Sequence, residues 1–123
     1  MGRSRKKGRE EIVMDTILSY LRRLEANNNK PWFDSHKNEY QEARAHFNAI
    51  VERLIDGIME FDPSVKGVGI KESTYRIYKD MRFSKDGLPY KTHFGAFICR
   101  GGKKSGYSGY YFHIGTGSGE DYP

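Results

Sequence analysis

The apolar residues of this chain change their rhythm once, near Gly67 and Gly69, and that change bounds the folds open to it. Before it, Met14, Ile17, Leu18, Leu21 and Leu24 recur at three- and four-residue spacing, which puts them on one face of a helix over residues 10–26. Glu10 and Glu11 at its start and Arg22 and Arg23 near its end suit the helix dipole. Asn27, Asn28 and Asn29 then end it, because Asn tolerates the left-handed backbone of a helix terminus. A second stripe, carried by Tyr40, Ala43, Phe47, Val51, Leu54 and Ile58, predicts a helix over about residues 32–60. Pro31 opens it and Asp62-Pro63 closes it. Beyond the glycines the runs Thr74–Lys79, His93–Cys99 and Gly109–Ile114 are short, β-branched and aromatic, which is the texture of strands. Asp86-Gly87 with Pro89, and the run Gly101–Gly106, mark the turns between them. The expected fold is α+β: two N-terminal helices packed on an antiparallel β-sheet.

A length of 123 residues suits one domain, expected over residues 10–123 behind a basic, disordered tail at residues 1–9. Eight of the 14 glycines fall between Gly95 and Gly119, and the chain stops soon after a strand. The sheet therefore reads as truncated, with an edge left uncovered. No apolar run is long enough to cross a membrane, and none follows the basic N-terminus as a secretory signal would require. The single Cys99 excludes a disulfide framework, sits in an apolar strand as a core residue, and points to a reducing, cytoplasmic setting. The net charge of +5 suggests an anionic partner, but it is unevenly spread. Residues 1–9 carry five basic residues and no acid, residues 76–104 carry eight against Asp80 and Asp86, and the stretch between is acidic.

The chemistry concentrates between Arg76 and Tyr90. Continued as a strand, this segment places Tyr75, Ile77, Met81 and Phe83 on one face, with Lys79 as the exception. Arg76, Tyr78, Asp80, Arg82 and Ser84 fall on the other. Same-face neighbours lie roughly 7 Å apart, so Arg76 and Arg82 can converge on a phosphate or carboxylate that Asp80 helps to orient. Lys79, Lys85, Tyr90, Lys91 and His93 would line the rim of such a site. The competing reading is a buried ion-pair scaffold tying the strand to the helices, and the residues alone leave both open. A carboxylate beside arginine is a weak base, so His93 or His113 suits proton transfer better than Asp80.

These residues, with Asn28-Asn29-Lys30-Pro31-Trp32-Phe33 before them, resemble an uncharacterised family, domain of unknown function 2461. Its hallmark runs Arg-x-x-Arg-Asp-x-Arg-Phe-Ser, then Asp-Lys, then Pro-Tyr-Lys. Matching positions are Arg76, Asp80, Arg82, Phe83, Ser84, Asp86, Pro89, Tyr90 and Lys91, and the resemblance runs from about residue 12 to about residue 115. Lys79 stands in place of an arginine and Gly87 in place of a lysine. Family members are longer, so the resemblance implies that this chain is an N-terminal portion. It implies no reaction.

Other signals are weaker. His36, His46, His93 and His113 show no metal-binding spacing, and neither a metal nor a cofactor is expected. The glycine runs at residues 102–106 and 115–119 lack a complete phosphate-loop pattern and read as turns. Basic and aromatic residues interleave from Tyr75 to Tyr111, as a single-stranded nucleic-acid platform requires. Half-buried strands carry the same aromatics, and a small anionic molecule is the preferred partner.

Overall fold

The computed structural model describes residues 8–117. The basic tail expected over residues 1–9 lies outside it, except that Gly8 caps and Arg9 opens the first helix. Helix α1 (Arg9–Ala26) buries Ile17, Tyr20, Leu21 and Leu24 and ends where the Asn27 N–H donates to the Leu24 carbonyl. The helix expected over residues 32–60 is two helices, α2 (Lys30–Ser35) and α3 (Lys37–Met59). They break at His36, which leaves helical dihedrals with φ −115° and ψ 24°. At the break the Trp32 carbonyl faces the Ser35 hydroxyl at 3.0 Å and His36 Nδ1 at 2.8 Å, as well as the His36 N–H at 3.1 Å. The His36 ring also stacks on Trp32 with centroids 4.0 Å apart. Apolar periodicity continues through the break and so conceals it.

Helix α3 buries Ala43, Phe47, Val51 and Ile55 and packs along α1, with Arg23 and Glu39 forming a two-pronged ion pair at 2.7 and 3.0 Å. A short 3₁₀ turn (Pro63–Val65) and helix α4 (Ile70–Ser73) lead to the sheet. Strands β1 (His93–Cys99) and β2 (Gly109–Gly115) pair antiparallel, with Phe94 opposite Ile114, Ala96 opposite Phe112 and Ile98 opposite Tyr110. That face packs on the helices: Phe47 lies 5.4 Å from Phe94 and stacks on Phe112 at 5.8 Å. The architecture is α+β, with N-terminal helices against a two-stranded antiparallel sheet. None of the described helices is long and apolar enough to cross a membrane.

The segment Thr74–Lys79, expected as a strand, is not a regular one. It touches its partner at two separate bridges, Thr74 with Ala96 and Tyr78 with Tyr90. The bridges are four residues apart on one side and six on the other, so two extra residues bulge out between them. The ladder resumes where Lys91 N–H donates to the Ile77 carbonyl and Lys79 N–H to the Pro89 carbonyl, both at 2.9 Å. Among the described residues no strand pairs with the outer side of Tyr90. The Asn28 side chain takes that place, accepting from the Tyr90 N–H at 3.0 Å and donating to its carbonyl at 2.9 Å. Asn29, the next residue, caps α2 by accepting from the Trp32 N–H at 2.9 Å.

This clamp generates a test. Asn28→Ala leaves both backbone groups of Tyr90 without their partner and should cost about 1–3 kcal/mol in urea unfolding. Asn27→Ala removes only an exposed bond to the Arg23 carbonyl and should cost clearly less. Equal losses would mean that the Asn28 clamp contributes nothing specific.

Candidate functional site

The residues singled out between Arg76 and Lys91 fall into three groups. The first is a turn. The Asp80 carboxylate accepts from the Arg82 backbone N–H at 3.1 Å, and the Phe83 N–H donates to the Asp80 carbonyl at 3.0 Å. This self-bonding of an aspartate two residues on bends the chain out of extended form. The expected strand alternation therefore stops at Asp80: Ile77 is buried, but Met81 and Phe83 are 50% and 76% exposed. The same carboxylate takes the Arg82 guanidinium in a fork, from Nε at 3.1 Å and Nη2 at 2.8 Å. Arg82 lies 5.4 Å above the Phe83 ring. Its side chain is 79% exposed, so the pair is a surface feature and not the buried scaffold that was one of the two expectations. Arg82 holds Asp80 to a pKa of about 2, chiefly by side-chain and then backbone hydrogen bonds, with Arg76 adding its field.

The second group closes the loop. Asp86 accepts from the Leu88 N–H at 2.9 Å, from the Ser84 hydroxyl at 3.0 Å and from Lys79 Nζ at 2.9 and 3.0 Å. Those bonds, led by the Leu88 N–H and then Lys79, bring its pKa to about 2. Lys79 is only 15% exposed and the Ser84 hydroxyl donates to Asp86, so both are committed to the loop. Gly87 has φ +71°, a backbone conformation that a lysine at this position would resist. Tyr90, expected on the rim, is a core residue stacked on Phe33 at 4.2 Å.

The third group is cationic. Arg76 is exposed and lies within electrostatic reach of both Asp80 and Lys91. Lys91 is half-buried, its Nζ 5.5 Å from the centre of the Tyr75 ring. Burial lowers its pKa, and Arg76 and Arg44 push in the same direction. Arg44, on α3, was not among the residues expected from sequence. It donates from Nη2 to the Tyr75 carbonyl at 2.9 Å and lies 5.4 and 5.8 Å from the centres of the Phe94 and Phe47 rings. Its other nitrogen, Nη1, is buried with no hydrogen-bond partner among the described residues. Burial lowers the Arg44 pKa, and no described carboxylate pairs with Arg44, Arg76 or Lys91. The signal for Arg44 was its place between Ala43 and Phe47, four residues after Tyr40: a cation on the stripe that faces the core.

His93 lies buried on the sheet face away from the helices, its ring 5.6 Å from that of His113. A Cβ built on Gly95 would meet Tyr111 at 3.3 Å, Tyr75 at 3.5 Å and His93 at 3.7 Å, so these three side chains crowd one spot. Among the described residues no three His, Cys, Asp or Glu side chains gather as a metal site would need. The basic and aromatic series is divided, because Tyr90 and Phe94 are buried while Tyr78, Phe83, Tyr107 and Tyr111 are exposed. Cys99 is buried with its sulfur 2.9 Å from the Gly102 carbonyl. Clefts of about 520 and 380 Å³ open on the helical side, lined by residues such as His46 and Arg53 in one and Asp15 and Glu39 in the other. Residues 118 and 119 of the second glycine run lie outside the described residues.

Asp80 and Asp86 give a pH prediction with a defined sign. Both titrate below the ordinary aspartate value of about 4, so their bonds stabilise the loop fully above that pH. The contribution is lost as pH falls from there through about 2. Carboxyl chemical shifts followed by NMR should show both midpoints displaced downward. Midpoints at the ordinary value would show that the two loop networks do not persist in solution. Arg82→Ala, at an exposed side chain, should leave the unfolding midpoint nearly unchanged.

A family model described as conserved hypothetical protein, DUF2461, matches residues 16–119. No curated protein and no solved structure matches the chain. The matched span runs from within α1 through β2 and takes in the Asn28 clamp and all of Arg44, Arg76, Asp80, Arg82 and Lys91, and the chain belongs to the DUF2461 family.

Proposed function

We propose that the chain binds a small anion, a phosphate or carboxylate group, with Arg76 as the sequence motif suggests but with Arg44 and Lys91 as its partners. The observation that carries this reading is the absence of any paired carboxylate at these three cations among the described residues, together with the unpartnered Arg44 Nη1. A buried donor left unsatisfied costs about 1–3 kcal/mol, and gathering like charges adds to that. An anion would relieve both. Arg82 is already forked to Asp80 and contributes at most from the rim, on the exposed loop of residues 80–88.

A small anion suits the site better than a nucleic-acid strand, because the aromatics that would stack on bases are split between core and surface. A single buried, unpaired Cys99 suits a cytoplasmic setting.

The test is thermal unfolding in rising inorganic phosphate at constant ionic strength. At one hundred times its Kd, a ligand bound only to the folded chain adds about 2.7 kcal/mol, which raises Tm by several degrees. Arg76→Gln should remove most of that rise while leaving the phosphate-free Tm close to that of the wild type, since Arg76 is exposed. Arg82→Ala should keep it. A phosphate effect of equal size in the Arg76→Gln chain would overturn the reading.

A further inference from the structure

The sheet face turned away from the helices carries a second group of side chains. The register sets His113 opposite Gly95 and Tyr111 opposite Phe97. His93 and His113 are therefore diagonal neighbours across the strands, and Tyr111 precedes His113 by two residues on the same face. The two imidazole rings lie 5.6 Å apart, inclined at 66°, and the Tyr111 ring lies 5.5 Å from that of His113. Gly95 stands between them without a side chain. A Cβ there would meet Tyr111 Oη at 3.3 Å and His93 Cδ2 at 3.7 Å, so the phenol oxygen and the His93 edge that bears Nε2 face one point. His93 is buried and forms the floor. Tyr111 is 41% exposed and His113 partly so, which makes the point reachable from solvent among the described residues.

These spacings fit a single metal ion. A metal–nitrogen bond of about 2.1 Å puts the centre of an imidazole about 3.2 Å from the ion, so two such rings at the tetrahedral angle lie about 5.2 Å apart. The observed 5.6 Å needs only a somewhat wider angle. The third donor is a phenol, which stands outside the His, Cys, Asp and Glu set of which no three gather among the described residues. Two imidazoles with one phenolate suit a late first-row ion, and the affinity order of such ions peaks at copper(II). Calcium and magnesium prefer shells made of oxygen, so this donor set selects against them.

We propose that His93, His113 and Tyr111 bind one divalent transition-metal ion, copper(II) more tightly than zinc(II). The site is separate from the anion site above and does not depend on it. Each imidazole binds as the neutral ring through one nitrogen, and the Tyr111 hydroxyl gives up its proton to solvent as the oxygen–metal bond forms. One proton is released for each ion bound, so affinity falls as pH falls. Three protein ligands leave a coordination position for water or a small molecule, which is the arrangement of a reactive centre and not of a closed structural one.

The test titrates copper(II), and separately zinc(II), into the full chain in a buffer free of amines and phosphate. Copper(II) should produce a visible phenolate-to-copper charge-transfer band and raise Tm by several degrees. Tyr111→Phe keeps the ring and should abolish the band. His113→Gln, at a partly exposed side chain, should weaken copper(II) binding by about tenfold or more in calorimetry. His46→Gln, on α3 beside Glu42, should change neither the band nor the affinity. Copper(II) bound without the band overturns the inference, as does equal affinity in the wild-type and His113→Gln chains. Tighter binding of zinc(II) than of copper(II) would overturn it as well.

Discussion

The backbone of Tyr90 is held on both edges, and this fixes the point where the chain leaves the loop for the sheet. Its neighbours Pro89 and Lys91 pair with Lys79 and Ile77 on one edge, and the Asn28 amide binds Tyr90 itself on the other. The ring below is stacked on Phe33 of α2. An asparagine side chain thus does what another strand would do, and it does so from the loop that joins α1 to α2. The helices and the sheet are joined here by hydrogen bonds as well as by the packing of Phe47 on Phe94 and Phe112. Lys91 is the next residue, so its half-buried placement over the Tyr75 ring follows the same clamp.

Much of the fold was legible because it follows periodicity. The 3.6-residue stripe located α1 within one residue at its start, and alternating aromatics located β1 over the observed range His93–Cys99. What escaped depends on side chains bonding to nearby backbone, which no hydrophobic pattern records. Ser35 and His36 bond back to the Trp32 carbonyl where one expected helix is two, and Asp80 bonds forward where an apparent strand becomes an exposed bend. Arg44 escaped for the opposite reason. It sits within a clean apolar stripe, where the pattern around it hides the one charged side chain that faces inward.

Net charge is the wrong scale on which to look for a site here. Arg82 is neutralised by Asp80 two residues away, and Lys79 by Asp86 seven residues away, so part of the basic block is already satisfied internally. The acidic groups of α1 and α3 face elsewhere, as with Glu39 on Arg23. Of the cations left without a paired carboxylate among the described residues, Arg44 and Lys91 are set apart from the exposed ones by their partial burial. Their residue types differ: a guanidinium is a planar fork of donors, whereas an amine is a compact point charge.

The two residues that bulge between the Thr74–Ala96 and Tyr78–Tyr90 bridges act as a phase spacer. Because the excess is even, the faces of the strand on either side of it stay in step. Removing one residue there would exchange inside for outside on everything leading into the loop, turning the Lys91 amine away from the Tyr75 ring. The loop of residues 80–88 has no such constraint, since it begins and ends at one bridge. Length changes among relatives should therefore collect in the loop and avoid the spacer, even though the loop carries most of the motif by which the family is recognised.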